Sequence, residues 1–410
     1  MNNKVTTVTM IGLGYIGLPT AALLANRGYR VHGVDVDKHA VDIINQGKIH
    51  IVEPELDTFV HSAVNSGKLT ANMVPAEADV FMIAVPTPFH HDKMNEMTNS
   101  PIPNIDYVIS ATKAIAPYIR KGNLILLEST SPVGTTDKMA QVLQNEGVDI
   151  NEVYIAHSPE RVLPGHIMRE LVENDRVVGG INDESTKVAA EFYRTFVEGT
   201  VLETNAKTAE MAKLTENSFR DVNIAFANEL SMLCDDLDID TRELIALANR
   251  HPRVNVLNPG CGVGGHCISV DPWFIVDKAN GKAKMIEQAR RTNDYKADWV
   301  IEKVKNAALV FEAKNNKKPV VACMGLAFKP DIDDLRESPA LYITKGLIQE
   351  GLDVLAVEPN IENHKDLDIT APNLAVEKAD IIVCLVAHKG FDDFDVLTKE
   401  VFDFCGVLKS

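Results

Sequence analysis

Met10-Ile11-Gly12-Leu13-Gly14-Tyr15-Ile16-Gly17-Leu18 is the stretch from which the first third of this chain can be read. The apolar run 5–11 ahead of it has the length of a buried strand, and residues 14–27 read as a helix. The three glycines have separate tasks. Gly12 permits a tight turn, Gly14 lets the backbone approach a pyrophosphate, and Gly17 lets helix and strand pack closely. The helix N-terminus beyond Tyr15 and Ile16 would offer N–H groups and a partial positive charge to phosphates. Asp35 closes a second short strand, 31–34, where a carboxylate can grip ribose hydroxyls. A carboxylate there disfavours a 2′-phosphate, so NAD is expected over NADP, with FAD still open.

Working outward, 80–85 and 124–127 are further apolar strands with helical segments between them. Such alternation implies a parallel sheet covered on both faces. Val85-Pro86-Thr87-Pro88 and Glu128-Ser129-Thr130 each follow a strand, so Thr87 and Thr130 are placed at the ligand crevice, although helix capping is the commoner work of a threonine. Residues 86–104 read as a long loop. From 204 to 236 the pattern is one long helix without Pro or Gly, followed by helices at 240–249 and 283–313 around a glycine-rich loop. A third section repeats the opening plan, with strands at 320–324, 354–357 and 381–386. The expected fold is α/β, with two Rossmann-like parallel-sheet domains joined by a central all-helical section built around the long helix. The expected boundaries are 1–200 for an NAD-binding domain, 201–315 for the helical domain and 316–410 for the last.

The net charge of −17 disfavours nucleic acid as a partner. No apolar run is long enough to span a membrane, no signal peptide is evident, and six scattered cysteines fit a reducing cytoplasm.

The least ordinary segment is Gly260-Cys261-Gly262-Val263-Gly264-Gly265-His266-Cys267. Its four glycines suggest a backbone passing close to something, and Cys267 ends it, with Asp271 just beyond. The thiolate is the reactive form of cysteine, so Cys267 is a candidate nucleophile. The competing readings are a structural thiol and a metal site from Cys261, His266 and Cys267; the second lacks a clear fourth ligand, and no metal is expected. Lys213, Asn217 and Arg220 fall at i, i+4 and i+7 and share a helix face. Glu160 and Arg161 follow another strand. Lys329 and Arg336 follow the first strand of the third section, with surface pairing to nearby aspartates as the rival account.

These segments together resemble the UDP-glucose/GDP-mannose dehydrogenases, which oxidise a sugar alcohol to an acid with two NAD. The resemblance rests on the opening glycines, Glu128–Thr135, Ser158–Arg161, Lys213–Asn217, Gly264–Cys267 and Phe328–Pro339. Within the family, 161–166, 208–230 and 249–255 are most similar to the members acting on UDP-N-acetyl-D-mannosamine, while His266 is shared with UDP-N-acetylglucosamine enzymes. Pro164 stands where UDP-glucose members usually have an acidic residue. Lys409 stands near where the subgroup often has an arginine, and no role is assigned to it.

The resemblance implies that Cys267 is the nucleophile, that Lys213 stabilises oxyanions and that Asn217 holds the oxygen on the reacting carbon. Asp271, Glu160 and Thr130 would position or activate water. Arg161, Val162, Arg220 and Gly264 would hold a UDP-linked N-acetylated sugar, with Lys329 and Arg336 contacting it from the last domain. His251 and Arg253 would bind it across the interface of a homodimer. A 3-hydroxyacid or phosphogluconate type of dehydrogenase is disfavoured by the segment after Pro319, which those enzymes lack.

Overall fold

Strands of four or five residues build the first sheet, and the two at its centre, 80–83 and 124–127, are apolar and buried along their whole length. In the computed structural model, which describes residues 5–163, 165–394, 396 and 398–408, the chain divides into two units, Met1–Thr215 and Glu216–Ser410. Pro164 and Lys409 lie outside the described residues.

In chain order the first unit contains β1 (Thr7–Ile11), α1 (Gly17–Asn26), β2 (Arg30–Val34), α2 (Lys38–Asn45), α3 (Leu56–Asn65), β3 (Leu69–Asn72) and β4 (Val80–Ile83). There follow β5 (Phe89–Met94), β6 (Pro101–Pro103), α4 (Asp106–Ile115), β7 (Leu124–Leu127), α5 (Thr135–Asn145) and β8 (Tyr154–His157). The unit continues with α6 (Ile167–Glu173), β9 (Arg176–Gly180), α7 (Asp183–Tyr193), β10 (Val201–Asn205) and the start of α8 (Ala206–Asp236). The strand order is β10-β9-β8-β7-β4-β1-β2-β3. Alternation along β4 and β7 sends Val80, Met82, Leu124 and Leu126 into one core and Phe81, Ile83, Ile125 and Leu127 into another. Both faces are therefore covered, as continuous apolar strands require.

Two details depart from the sequence expectation. The pairing is parallel except between β8 and β9, which run antiparallel. An antiparallel neighbour is joined at one end of the sheet, so residues 158–175, with α6, stay at the carboxyl edge instead of crossing a face. Secondly, the expected loop 86–104 contains the antiparallel ribbon β5–β6. Its turn is closed by Asn95 N–H donating to Ser100 O at 2.8 Å, a backbone pairing that has no apolar signature in the sequence.

The second unit contains the rest of α8, then α9 (Thr241–Ala248), α10 (Asp271–Lys278), α11 (Lys284–Asn315), β11 (Val320–Met324), α12 (Pro339–Gln349), β12 (Asp353–Val357), α13 (Pro372–Lys378), β13 (Ile381–Cys384) and β14 (Glu400–Asp403). Its parallel sheet has the order β12-β11-β13-β14. Alternation again divides Val321 and Cys323 from Ala322 and Met324, giving a core on each face. Ala297, Val300, Ile301 and Val304 of α11 join Ile343 and Leu347 of α12 in one of them. Asp240 caps α9 through the amides of Arg242 and Glu243, and Ser338 caps α12 just before Pro339.

Both sheets close their first β-α-β unit in one way. Asp35, just after β2, accepts from the Leu13 amide at 2.8 Å. Glu358, just after β12, accepts from the amides of Leu326 and Ala327 at 2.8 and 2.9 Å. Asp35 is half-buried, whereas Glu358 is buried and also meets His388 Nε2 at 3.0 Å. Burial pushes the Glu358 carboxyl up, but the bonds from His388, Leu326, Ala327 and Asn360 outweigh it and bring it down to about 2.

Among the described residues no helix is long and apolar enough to cross a membrane.

Candidate active site

The glycines after β1 divide as their spacing suggests. Gly12 has φ 91°, and a Cβ there would lie 2.4 Å from the Ala84 carbonyl oxygen. A Cβ on Gly17 would lie 1.8 Å from Gly12 O. A Cβ on Gly14 would meet no protein atom within 4 Å. The fold thus requires Gly12 and Gly17, while Gly14 leaves room beside the backbone. The N-terminus of α1 carries no acidic residue in its first turn and no side-chain cap, so its amides and dipole are suited to an anion. Tyr15 is exposed, Ile16 half-buried, and Asp35 presents a half-buried carboxylate beside this turn. This set fits a dinucleotide with an unphosphorylated ribose.

Thr87, after β4, donates through Oγ1 to Thr130 O at 2.6 Å and so joins two loops at the carboxyl edge of the sheet. Beneath Thr130, Glu128 is buried and accepts from Tyr193 Oη at 2.8 Å. Burial pushes its carboxyl up to about 7, against the pull of Arg176. Arg176 opens β9 and donates to Glu160 Oε2 at 2.5 Å; both side chains are buried. The other Glu160 oxygen accepts from the Arg161 amide at 2.7 Å. Glu160 therefore sits inside an ion-paired cluster. Nearby His157 is also buried, and burial holds its ring down to about 3, in the neutral form.

The Arg161 guanidinium donates to Asp175 O, and Val162 packs against the core. The loop that follows is pinned by Glu53, whose carboxylate accepts from the amides of Gly165 and Ile167, both at 2.8 Å. Glu210 does similar work for α5, accepting from the amides of Gly134 and Thr136 at 2.6 and 2.8 Å. Neither glutamate stands out in the sequence, since each acts on a segment far along the chain.

On α8, Lys213 is half-buried, Asn217 buried and Arg220 exposed. The buried polar line passes from Asn217 to Asp221, one turn on, and not to Arg220. Asn217 Nδ2 donates to Asp271 Oδ2 at 2.5 Å. Asp271 is buried at the first turn of α10, and its amide donates to Cys267 O at 2.8 Å. Cys267 is half-buried. Burial pushes Cys261, Cys323 and Cys384 up to about 12, leaving them as protonated interior thiols.

The glycine-rich loop lies against residues 328–339 of its own unit. A Cβ on Gly264 would lie 2.5 Å from Glu337 O and 2.7 Å from Phe328 Cβ, and one on Gly265 would enter the Phe328 ring. The Gly265 amide donates to Arg336 O at 3.1 Å. Close backbone packing thus accounts for these two glycines. The exposed Arg336 side chain forks onto Asp334, with Nε 2.9 Å from Oδ1 and Nη2 2.5 Å from Oδ2, while Lys329 is exposed. His251 and Arg253 lie on the exposed loop after α9. Among the described residues, no three or more His, Cys, Asp or Glu are grouped to hold a metal.

Three family models match in succession: the UDP-glucose/GDP-mannose dehydrogenase family NAD binding domain over residues 6–197, its central domain over 207–295 and its UDP binding domain over 322–410. The chain belongs to the UDP-glucose/GDP-mannose dehydrogenase family. It is an NAD-dependent UDP-sugar dehydrogenase, and the glycine turn with Asp35 falls in its NAD-binding domain. The chain is 53% identical to the UDP-N-acetyl-D-mannosamine dehydrogenase of Campylobacter jejuni, over 98% of this chain and 100% of that one. It is 51% identical to the NDP-N-acetyl-D-galactosaminuronic acid dehydrogenase of Ralstonia solanacearum, over 95% and 92%. Among solved structures it is similar to the UDP-N-acetyl-mannosamine dehydrogenase of S. aureus, with TM-score 0.87, 40% identity and coverage of 99% and 96%. In this dehydrogenase the UDP-binding match includes Lys329 and Arg336, and the central-domain match includes Lys213, Asn217, Cys267 and Asp271.

Proposed function

We propose that this enzyme oxidises UDP-N-acetyl-D-mannosamine to the corresponding uronate through a covalent adduct on Cys267. The observation that carries the covalent step is the setting of Cys267. It is half-buried, and its carbonyl is tied to the amide of Asp271, which is itself held by Asn217. NAD, when bound, accepts one hydride in each of two oxidations. In the first, the primary alcohol loses a hydride and a proton and becomes an aldehyde. The Cys267 sulfur then adds to the aldehyde carbon, forming a C–S bond and a thiohemiacetal whose oxygen takes a proton. Loss of a further hydride and proton gives a thioester. Water cleaves its C–S bond, releasing the acid and restoring the thiol.

In this reading Lys213 and Asn217 stabilise the oxyanions, each such donor being worth about 10²–10³ in rate. Asp271, Glu160 and Thr130 position water. Arg161, Val162, Arg220, Gly264, His251, Arg253, Lys329 and Arg336 hold the substrate. Gly12, Gly14, Tyr15, Ile16, Gly17, Asp35, Thr87 and Thr130 hold the cofactor. The three-part division at 200 and 315 serves these roles in turn.

The N-acetylated sugar is supported by relatives whose names carry that group on two different sugars. The test is NADH formation with UDP-N-acetylmannosamine, UDP-N-acetylglucosamine, UDP-N-acetylgalactosamine, UDP-glucose and GDP-mannose. Better turnover of another sugar overturns the substrate. Cys267→Ser is expected to stop acid release while some NADH still forms, and full turnover in that variant overturns covalent catalysis.

We also propose a homodimer working in the reducing cytoplasm. Phe219, Phe226 and Leu233 recur every seven residues on α8 and are 68%, 58% and 51% exposed. Leu214 of the same helix is buried within its own chain and belongs to a different face.

A further inference from the structure

The loop carrying Cys267 is held at both ends by buried polar side chains that none of the roles above uses. Asp221 and Asn228 fall seven residues apart on α8, on the helix face that also carries Asn217, and both are buried. Asn228 Oδ1 accepts from the Gly260 amide at 2.9 Å, at the start of the loop. Its Nδ2 donates to Asn293 Oδ1 at 2.9 Å on α11. Asn293 Nδ2 donates to Asp221 Oδ1 at 2.8 Å and to Asp221 O at 3.0 Å. Arg290, one turn before Asn293 and fully buried, donates through Nη1 to Asp221 Oδ1 at 2.5 Å and reaches Ile268 O at 3.5 Å. Ile268 is the residue after Cys267.

We propose that Asn228, Asn293, Asp221 and Arg290 are positioning residues that fix the loop carrying the Cys267 thiol. Three physical points support this. A buried ion pair is a poor device for stability alone, because desolvation offsets most of the attraction. Asp221 Oδ2 and Arg290 Nε are buried without hydrogen-bond partners, a cost that a purely structural pair has little reason to carry. The chain of bonds also reaches backbone groups of the loop, at Gly260 and Ile268, beside one branch from Arg290 Nη2 to the exposed Asp294 on α11 at 2.8 Å. A nucleophile on a glycine-rich loop loses rate quickly with misplacement, so an anchor at each end compensates for the freedom of the glycines.

The proposal rests on Cys267 as the nucleophile, and its test separates the two ideas. The full-length enzyme is made as Asn228→Asp and Asn293→Ala. The first keeps the acceptor for the Gly260 amide and removes the donor to Asn293. Each variant is measured for thermal melting, for kcat and KM, and for the rate at which iodoacetamide labels Cys267, read by peptide mass spectrometry against Cys405. The labelling rate of Cys267 is expected to change about fivefold or more while that of Cys405 holds. The kcat is expected to fall about 10–100-fold with KM for NAD within about twofold. Folded variants whose kcat and Cys267 labelling stay within about twofold of the parent overturn the proposal. If the asparagine variants do not fold, Arg290→Lys carries the same readouts, because it keeps the charge beside Asp221 and loses the fork that reaches Ile268. Labelling needs no turnover. An active Cys267→Ser enzyme would therefore remove the nucleophile while still leaving the positioning of the thiol answered.

Discussion

A Cβ placed on Gly17 would lie 1.8 Å from the carbonyl oxygen of Gly12, closer than any real contact. Two glycines of the motif are thus fixed by the chain's own packing, whereas Gly14 is not. Gly12→Ala and Gly17→Ala are expected to lose about 2–4 kcal/mol of stability, because backbone must move. Gly14→Ala is expected to melt like the parent and to raise KM for NAD about tenfold, by blocking the approach of the pyrophosphate. Calorimetry and steady-state kinetics on the three variants check this. A normal KM for NAD in Gly14→Ala would contradict it.

The buried Glu128 makes a pH-dependent contribution of defined sign. Its carboxyl is raised from 4.5 to about 7, so the stability it contributes is complete below about pH 4.5 and is lost as the pH rises through 7. Arg176, Glu160 and Tyr193 face it and are the same in parent and variant. Glu128→Gln keeps the acceptor for Tyr193. It should gain on the parent by about 1–3 kcal/mol between about pH 5 and pH 8. Melting curves across that range are the measurement, and a constant difference between the two proteins would sink the assignment.

Glu53 pins the amides of Gly165 and Ile167 from more than a hundred positions away. Glu53→Gln leaves one of these amides without a good acceptor and loosens the loop that begins at Arg161. The expected result is a KM for the nucleotide sugar about tenfold higher with KM for NAD unchanged. Equal changes in both constants would point to general misfolding instead.

Phe219→Glu with Phe226→Glu should yield a monomer by light scattering, because two charges would enter the apolar line on α8. Persistence of a dimer in the double variant would move the interface elsewhere.

The first β-α-β unit, the long helix and the strands of the last sheet are legible in sequence because each is encoded locally. Glycine spacing, apolar runs and the absence of Pro or Gly suffice to mark them. The antiparallel β8–β9 step is not legible, since strand direction depends on where the connection runs and not on the strands themselves. Helical spacing places Lys213, Asn217 and Arg220 together, yet Arg220 is exposed and Asp221 is the residue that continues inward from Asn217. A helix face is tens of degrees wide, and only the partner on α11 selects which neighbour turns in. The glycine-rich loop stands out, but Phe328 and Glu337, whose close approach explains Gly264 and Gly265, lie far along the chain in the next domain match.

The latch between a post-strand carboxylate and the first loop occurs twice, yet the two copies have unequal freedom to change. Asp35 takes the Leu13 amide from the first loop and the Asp37 amide from its own, with solvent beside it, so drift toward a phosphorylated cofactor could begin there with less injury to the fold. Glu358 is enclosed by Leu326, Ala327, Asn360 and His388, and any shorter or neutral replacement would strand several donors at once. Divergence in nucleotide preference is accordingly easier at the amino-terminal sheet, and the carboxyl-terminal copy is held to its present residue by its own interior.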